Sequence, residues 1–259
     1  MCLILLAWRA HPEYPLVVAA NRDEFFERPT APAQFWVDAP DILGGRDLSA
    51  GGTWMGITRD GRFAALTNYR EPGRQKADAP SRGQLVGDFL AGSMAAPDYL
   101  AALQPEAAVY NGFNLICGTM AHGLWHFSNR GSQIHALTPG IYGLSNHLLD
   151  TPWPKVARGK SDLALALAAL PADEPLLELL RDENIHEDGC LPRTGVSLEW
   201  ERILSAAFVR APNYGTRCST VVLFDKAGVI AFDEQTYLPG AWPADRKRFR
   251  FKLSRGAPC

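Results

Sequence analysis

Cys2-Leu3-Ile4-Leu5-Leu6-Ala7-Trp8, followed after a short break by Leu16-Val17-Val18-Ala19-Ala20-Asn21-Arg22-Asp23-Glu24, is the stretch on which the fold turns. The two apolar runs bracket His11-Pro12-Glu13-Tyr14-Pro15, whose prolines and polar residues mark a turn, so a β-hairpin is expected. Four polar residues close the second strand. After a buried strand they must meet solvent or a polar cavity, because an unpaired buried charge costs several kcal/mol or more. The hairpin returns Asp23 or Arg22 to the level of Cys2. A carboxylate there can hold an ammonium or a thiol, whereas a guanidinium can lower the thiol pKa.

Cys2 itself carries the chemistry. Methionine is normally trimmed before a small side chain, which would leave Cys2 with a free amine and a thiol on one residue. An α-amino group has a pKa of about 7.7–8.0 and accepts a proton near neutrality. A thiol near pKa 8.5 is partly thiolate already. Thr–amine pairs work in the same way. A Cys opening a strand is ordinarily a small apolar residue, and only the polar strand ends elsewhere in the chain favour the chemical reading.

The 259 residues, 47% hydrophobic and 21% charged, supply a large core and are expected to form one domain over 1–259. A formal charge of −2 gives no general basic field, so nucleic acid is not the expected partner. The five cysteines (2, 117, 190, 218 and 259) show no CxxC and no metal-type spacing, and Cys117 and Cys218 sit in apolar runs that read as core. His122 and His126 are four apart but flank Gly123 in strand-like surroundings, so no metal is expected. The opening apolar run is too short for a signal peptide or a membrane span, and a cytoplasmic location is expected. P-loop, Gly-x-Ser-x-Gly and CxxCH patterns are absent from the sequence, and no cofactor is expected.

Further strands are expected at 53–58, 63–67, 113–117, 123–128, 133–137, 141–145, 220–224 and 229–232, with an edge strand near 246–252. Gly44, Gly45, Gly51 and Gly52 read as a loop. Helices are expected at 84–90, 98–103, 161–170 with Ser161 as cap, 175–180 and 197–206, and a loop or lid at 181–194. Strand clusters alternating with helix clusters argue for a layered α+β fold.

Asn68 and Asn146 each stand at the end of an apolar strand, where a neutral side-chain N–H can stabilise an oxyanion, although a turn-forming Asn is the commoner use. Arg217, at the mouth of the strand before Cys218, reads as a surface residue or an anion binder, and His147 as an acid–base group or a hydrogen-bonded structural His.

Asn21-Arg22-Asp23-Glu24 resembles the tetrad that names the NRDE proteins, the TANGO2 (transport and Golgi organisation) family. The stretches 51–56, 65–70, 81–85, 110–115, 143–156 and 216–222 are similar to further motifs of that family, in order along the chain. The resemblance implies an N-terminal-nucleophile (Ntn) hydrolase fold, a four-layer αββα sandwich. It also extends to the cysteine branch of that fold, which includes penicillin V acylase and bile salt hydrolase. From that branch Cys2 would be the nucleophile, Asp23 would orient its amine, Asn68 and Asn146 would receive the oxyanion, and Arg217 would lie near the thiol. The branch's Arg-x-x-Asp is not kept: Ala20 stands three before Asp23, and the nearest arginine is Arg22.

Arg22, Trp54, Tyr69 and His147 are the candidate substrate-binding residues. The function expected is cleavage of a small linear acyl amide through a thioester on Cys2. The alternative is a non-catalytic carrier of haem or of an acyl or lipid ligand, since haem trafficking and acyl-CoA metabolism have both been proposed for the family. A small molecule is the expected partner in either case, and a homo-oligomer is compatible with the sequence.

Overall fold

Along β1 (Cys2–Trp8) the side chains alternate between two buried environments. Ile4, Leu6 and Trp8 join one cluster with Leu16, Val18 and Ala20 of β2 (Leu16–Phe25), while Leu3, Leu5 and Ala7 join another with Val17 and Ala19. Period-2 alternation on a strand covered on both faces explains why the run is apolar throughout rather than every second residue. Each fully buried side chain of this size contributes about 1.5–3 kcal/mol. The computed structural model describes residues 2–131 and 133–254. The trimming of Met1 and the C-terminal Cys259 lie outside the described residues.

The chain continues through β3 (Thr30–Phe35), β4 (Ile42–Asp47), β5 (Met55–Thr58), β6 (Arg62–Asn68), β7 (Phe113–Thr119), β8 (Gly123–Ser128) and β9 (Ile134–Ala136). These seven form one antiparallel sheet in sequence order. The second sheet adds β10 (Gly140–Leu144), β11 (Tyr214–Phe224), β12 (Val229–Leu238) and β13 (Trp242–Lys252), in the order β10-β1-β2-β11-β12-β13. The inner cluster joins the two sheets through side chains such as Ile4 and Val18 from one and Ile57, Phe63 and Ile116 from the other. Helices α1 (Gly83–Ala91) and α2 (Ala96–Leu103) cover the seven-stranded sheet, where Leu85, Phe89 and Leu100 meet Ala64, Leu66 and Leu115. Helices α3 (Pro154–Ala166) and α4 (Glu174–Leu179) cover the six-stranded sheet, where Val156, Leu163 and Leu176 meet Leu3 and Leu5. The layers are therefore αββα: the layered α+β fold expected from the strand and helix clusters, in the four-layer form that the family resemblance implies. No helix among the described residues is long and apolar enough to cross a membrane.

Several local expectations are corrected. Asn21-Arg22-Asp23-Glu24 does not follow β2 but lies inside it. Gly44 and Gly45 lie within β4, not in a loop, and a Cβ on Gly44 would sit 2.7 Å from the Met55 carbonyl oxygen. α3 begins at Pro154, so Ser161 is inside the helix, donating to the Ala157 carbonyl, and caps nothing. A proline at the first turn supplied the start that the Ser161 reading missed. Ser197 does cap α5 (Leu198–Ile203). β13 is the edge strand expected for the basic run, with Arg246 and Arg248 bonded to Asp233.

One buried group makes an acid test. His126 on β8 is buried, neither ring nitrogen has a hydrogen-bond partner among the described residues, and His135 stacks on it at 6.4 Å. Burial, helped by the neighbouring His135 charge, pushes its pKa down to about 4. Between pH 6.5 and about 4 the unfolded chain holds a proton that the folded state does not, so stability falls as pH falls through that window. The loss is about 3 kcal/mol at full extent. Denaturant melts at pH 7 and pH 4 should show His126→Leu losing less stability than the wild type by about that amount; an equal loss in both proteins would exclude His126 as its source.

Candidate active site

Strand register builds the site. Cys2 pairs with Arg22, and Arg22 pairs on its other side with Cys218, so the three lie in one row across β1, β2 and β11. Paired residues on neighbouring strands point to the same face, about 4.8 Å apart. Period 2 along β2 then divides the tetrad. Arg22 and Glu24 face the space between the sheets, while Asn21 and Asp23 turn toward the helix layer. Their bonds agree: Asn21 donates to the Leu180 and Ala207 carbonyls (2.8 and 2.9 Å) and accepts from Ser219 (2.6 Å).

The inner side opens into a cavity of about 540 Å³ lined by Cys2, Arg22, Asn68, Trp54, Arg82 and Arg217, among others. Burial pushes the Cys2 thiol up; the Asp23 charge adds to that, while the Arg22 charge and a hydrogen bond from the Asp23 backbone act against it. The expected thiol-lowering cation is therefore present as Arg22, yet desolvation outweighs it and the net push on the Cys2 thiol is upward.

On the far side of β2 lies a buried polar cluster. Asp23 accepts from Thr216 Oγ1 at 2.8 Å, and Tyr214 donates to its backbone carbonyl at 3.0 Å. Burial raises the Asp23 carboxyl, opposed by the charge of Lys155, the Thr216 hydroxyl and the charge of Arg70. Lys155 enters from the first turn of α3, donates to the Leu204 carbonyl at 2.9 Å, and is pulled down to about 8 by burial, with Asp23 opposing. Behind it Arg70 and Glu201 form a buried ion pair at 2.8 Å, and Thr194 donates twice to the same Glu201.

The remaining expected residues divide between the cavity and its supports. Asn68, the last residue of β6, and Trp54 line the cavity. Asn146 is fully buried and is not among the lining residues; its Nδ2 donates to the Asn68 carbonyl at 2.9 Å. It belongs to a strut in which Ser145 donates to the Cys2 carbonyl (3.1 Å) and Thr67 to the Ser145 carbonyl (2.6 Å). Tyr69 and His147 lie together outside the cavity lining, rings 4.9 Å apart, with His147 Nδ1 2.9 Å from Thr151 Oγ1. Arg217 is the extra residue of a β-bulge in β11. A bulged residue leaves the ladder and re-aims its side chain, and here the guanidinium reaches the Phe25 and Arg28 carbonyls (2.8 and 3.1 Å) and Thr30.

Sequence reading missed Arg82, Lys155 and Thr216, although each falls within a stretch quoted for the family resemblance. Arg82 is brought in by a close backbone contact: a Cβ on Gly52 would lie 2.4 Å from the Gly83 carbonyl carbon, and Thr53 N–H donates to the Gly83 carbonyl at 3.1 Å. Only glycine at 52 lets the segment before α1 approach the cavity this closely.

The family model for "Transport and Golgi organisation 2" matches residues 1–239. The chain belongs to this family. Curated relatives agree across nearly the whole length: the mouse "Transport and Golgi organization 2 homolog" is 39% identical, covering 92% of this chain and 94% of that protein. The human homolog is 38% identical with the same coverage, and the Drosophila melanogaster "Transport and Golgi organization protein 2" is 29% identical over 91% and 92%. Among solved structures, a Caenorhabditis elegans "N-acylethanolamine-hydrolyzing acid amidase (NAAA) ortholog" shares the fold, with a TM-score of 0.54, 11% identity, and coverage of 86% of this chain and 92% of that one. The Transport and Golgi organisation 2 fold is thus of the Ntn-hydrolase type. In it, motifs distant in sequence converge: 21–24 on β2, 51–56 and 81–85 at one wall, 65–70 at the end of β6, and 216–222 on β11.

Proposed function

We propose that this protein is a cysteine N-terminal-nucleophile amidohydrolase that cleaves the C–N bond of a small linear acyl amide. The observation that carries this reading is the placement of Cys2, on a cavity wall and in register with Arg22, with the buried Asp23 one residue further along β2. With Met1 removed, the Cys2 amine takes the thiol proton and Sγ attacks the carbonyl carbon. The C–N bond breaks, the leaving amine departs with that proton, and a thioester remains for water to hydrolyse. Because burial holds the thiol protonated, the amine is required as base. Asp23 orients the ammonium, and Lys155 and Thr216 act against the upward push that burial gives its carboxyl. Asn68 receives the oxyanion, and Asn146 and the Ser145 hydroxyl position the Asn68 and Cys2 backbones. The shared fold with an amidase supports the bond class and not the substrate. The four described cysteines are all free, which suits work in a reducing cytoplasm.

Intact mass with and without iodoacetamide at neutral pH is the direct test. Loss of the Met1 mass, together with rapid alkylation mapped to Cys2, is the expected result. Retained Met1 with an inert Cys2 would remove the mechanism and leave the carrier reading.

A further inference from the structure

The cavity walls carry more positive charge than their own carboxylates answer. Arg28 is paired with Asp47 at 2.7 Å, and Arg46 is paired with Asp38. Arg22, Arg82 and Arg217 are not matched in this way. Arg22 meets Glu24 only at 4.0 Å, and that carboxylate also accepts the Phe25 N–H at 2.9 Å. Arg82 donates to the Gly112 carbonyl at 2.9 Å and Arg217 to two carbonyls and a hydroxyl; neither has a carboxylate partner among the described residues. The two remaining acids are engaged elsewhere. Asp23 bonds Thr216, and Glu234 accepts the Ala33 N–H at 2.6 Å and the Thr220 hydroxyl at 3.3 Å. Arg82 lies close enough to Cys2 and Glu24, and Arg217 to Arg22, for their charges to interact.

Withdrawing guanidinium groups from water without a carboxylate is costly, and such groups accept a bidentate oxyanion readily. Burial works against the charge of both Arg82 and Arg217. Trp54, Leu66 and Tyr237 line the same space and offer an apolar surface beside the charges. Resting on the hydrolase reading of this site, we infer that the acyl amide it takes is an anion, carrying a carboxylate or phosphate group that Arg82 binds together with Arg22 and Arg217, within the cavity that Cys2 faces.

Two measurements on the whole protein test this. The first is calorimetric titration with decanoate, decyl phosphate and decanamide as probes. Either anion should bind at least about 10-fold more tightly than the neutral amide, and Arg82→Gln should reduce that ratio to within about 2-fold; decanoate or decyl phosphate leading tells carboxylate from phosphate recognition. Equal affinity for all three, or a preference unchanged in Arg82→Gln, overturns the inference. The second needs no variant and covers the case in which Arg82→Gln does not fold. Cys2 alkylation by iodoacetate relative to iodoacetamide, normalised to a peptide that begins with Cys, should rise about 10-fold in the native protein. A Cys2 that reacts with iodoacetamide but shows no iodoacetate preference overturns the anion site and leaves the nucleophile standing. A Cys2 inert to both reagents, with the calorimetric preference intact, sustains the anion site and removes the hydrolase.

Discussion

Cys2→Ala is expected to lower kcat/KM for any linear acyl amide the protein turns over by on the order of 10³-fold or more, because it removes the thiol that sits beside the α-amine and forms the thioester. Alanine is the informative replacement. It is small enough to keep methionine removal, so amine, backbone pairing to Arg22 and the Ser145 bond to the residue 2 carbonyl all persist. The side chain lost is small and opens onto the cavity, which limits the stability cost to about 1 kcal/mol. Cys2→Ser separates nucleophile from geometry: the hydroxyl keeps the position, but it has a far higher pKa than a thiol and the same amine must deprotonate it, so a loss smaller than that of alanine is expected. Steady-state kinetics beside a thermal melt of each variant decides the matter. Full activity in a folded Cys2→Ala protein would show that the thiol is not the nucleophile.

The layered fold was legible because it depends on periodicities that one sequence displays. Apolar runs at 3–8 and 16–20 with a proline-containing break between them specify the hairpin, and the hairpin alone puts Arg22 or Asp23 beside Cys2. Choosing between the two needed the register, which sets Arg22 opposite Cys2 and sends Asp23 to the other face. A one-residue slip would exchange them, and nothing in the composition of the strands excludes such a slip. β3 and β4 were missed because Gly44, Gly45 and Pro32 are poor strand formers that edge position and close packing tolerate. Lys155 and Glu201 were missed for a different reason. A charged residue in a helix reads as solvent-facing unless its partner is known, and here the Leu204 carbonyl lies 49 positions from Lys155 and Arg70 lies 131 from Glu201, separations that only tertiary structure closes. Arg217 was singled out, yet its aim depends on a bulge that no local pattern announces.

Glu201→Ala should be among the most destabilising single substitutions behind the site, by about 3–5 kcal/mol, since it leaves Arg70 buried without its carboxylate. In a chain of this size that corresponds to a fall in Tm of roughly 10 °C or more. The substitution also frees the Thr194 N–H and hydroxyl, both of which donate to Glu201 Oε1 and tie the loop after residue 181 to α5. The double variant Arg70→Met/Glu201→Leu provides the control. Replacing both charges by apolar groups of similar volume removes the buried cation together with its carboxylate, and a loss well below that of Glu201→Ala is expected. The pair has a second effect that the same proteins expose. Arg70 is one of the cations that hold the Asp23 carboxyl down against burial, so the double variant, folded but lacking that charge, should raise the Asp23 pKa and shift the acid limb of any hydrolytic pH profile upward. If the double variant matches Glu201→Ala in stability, the Thr194 bonds and not the broken Arg70–Glu201 pair carry the cost; if its pH profile is unmoved, the Arg70 charge does not set the Asp23 titration.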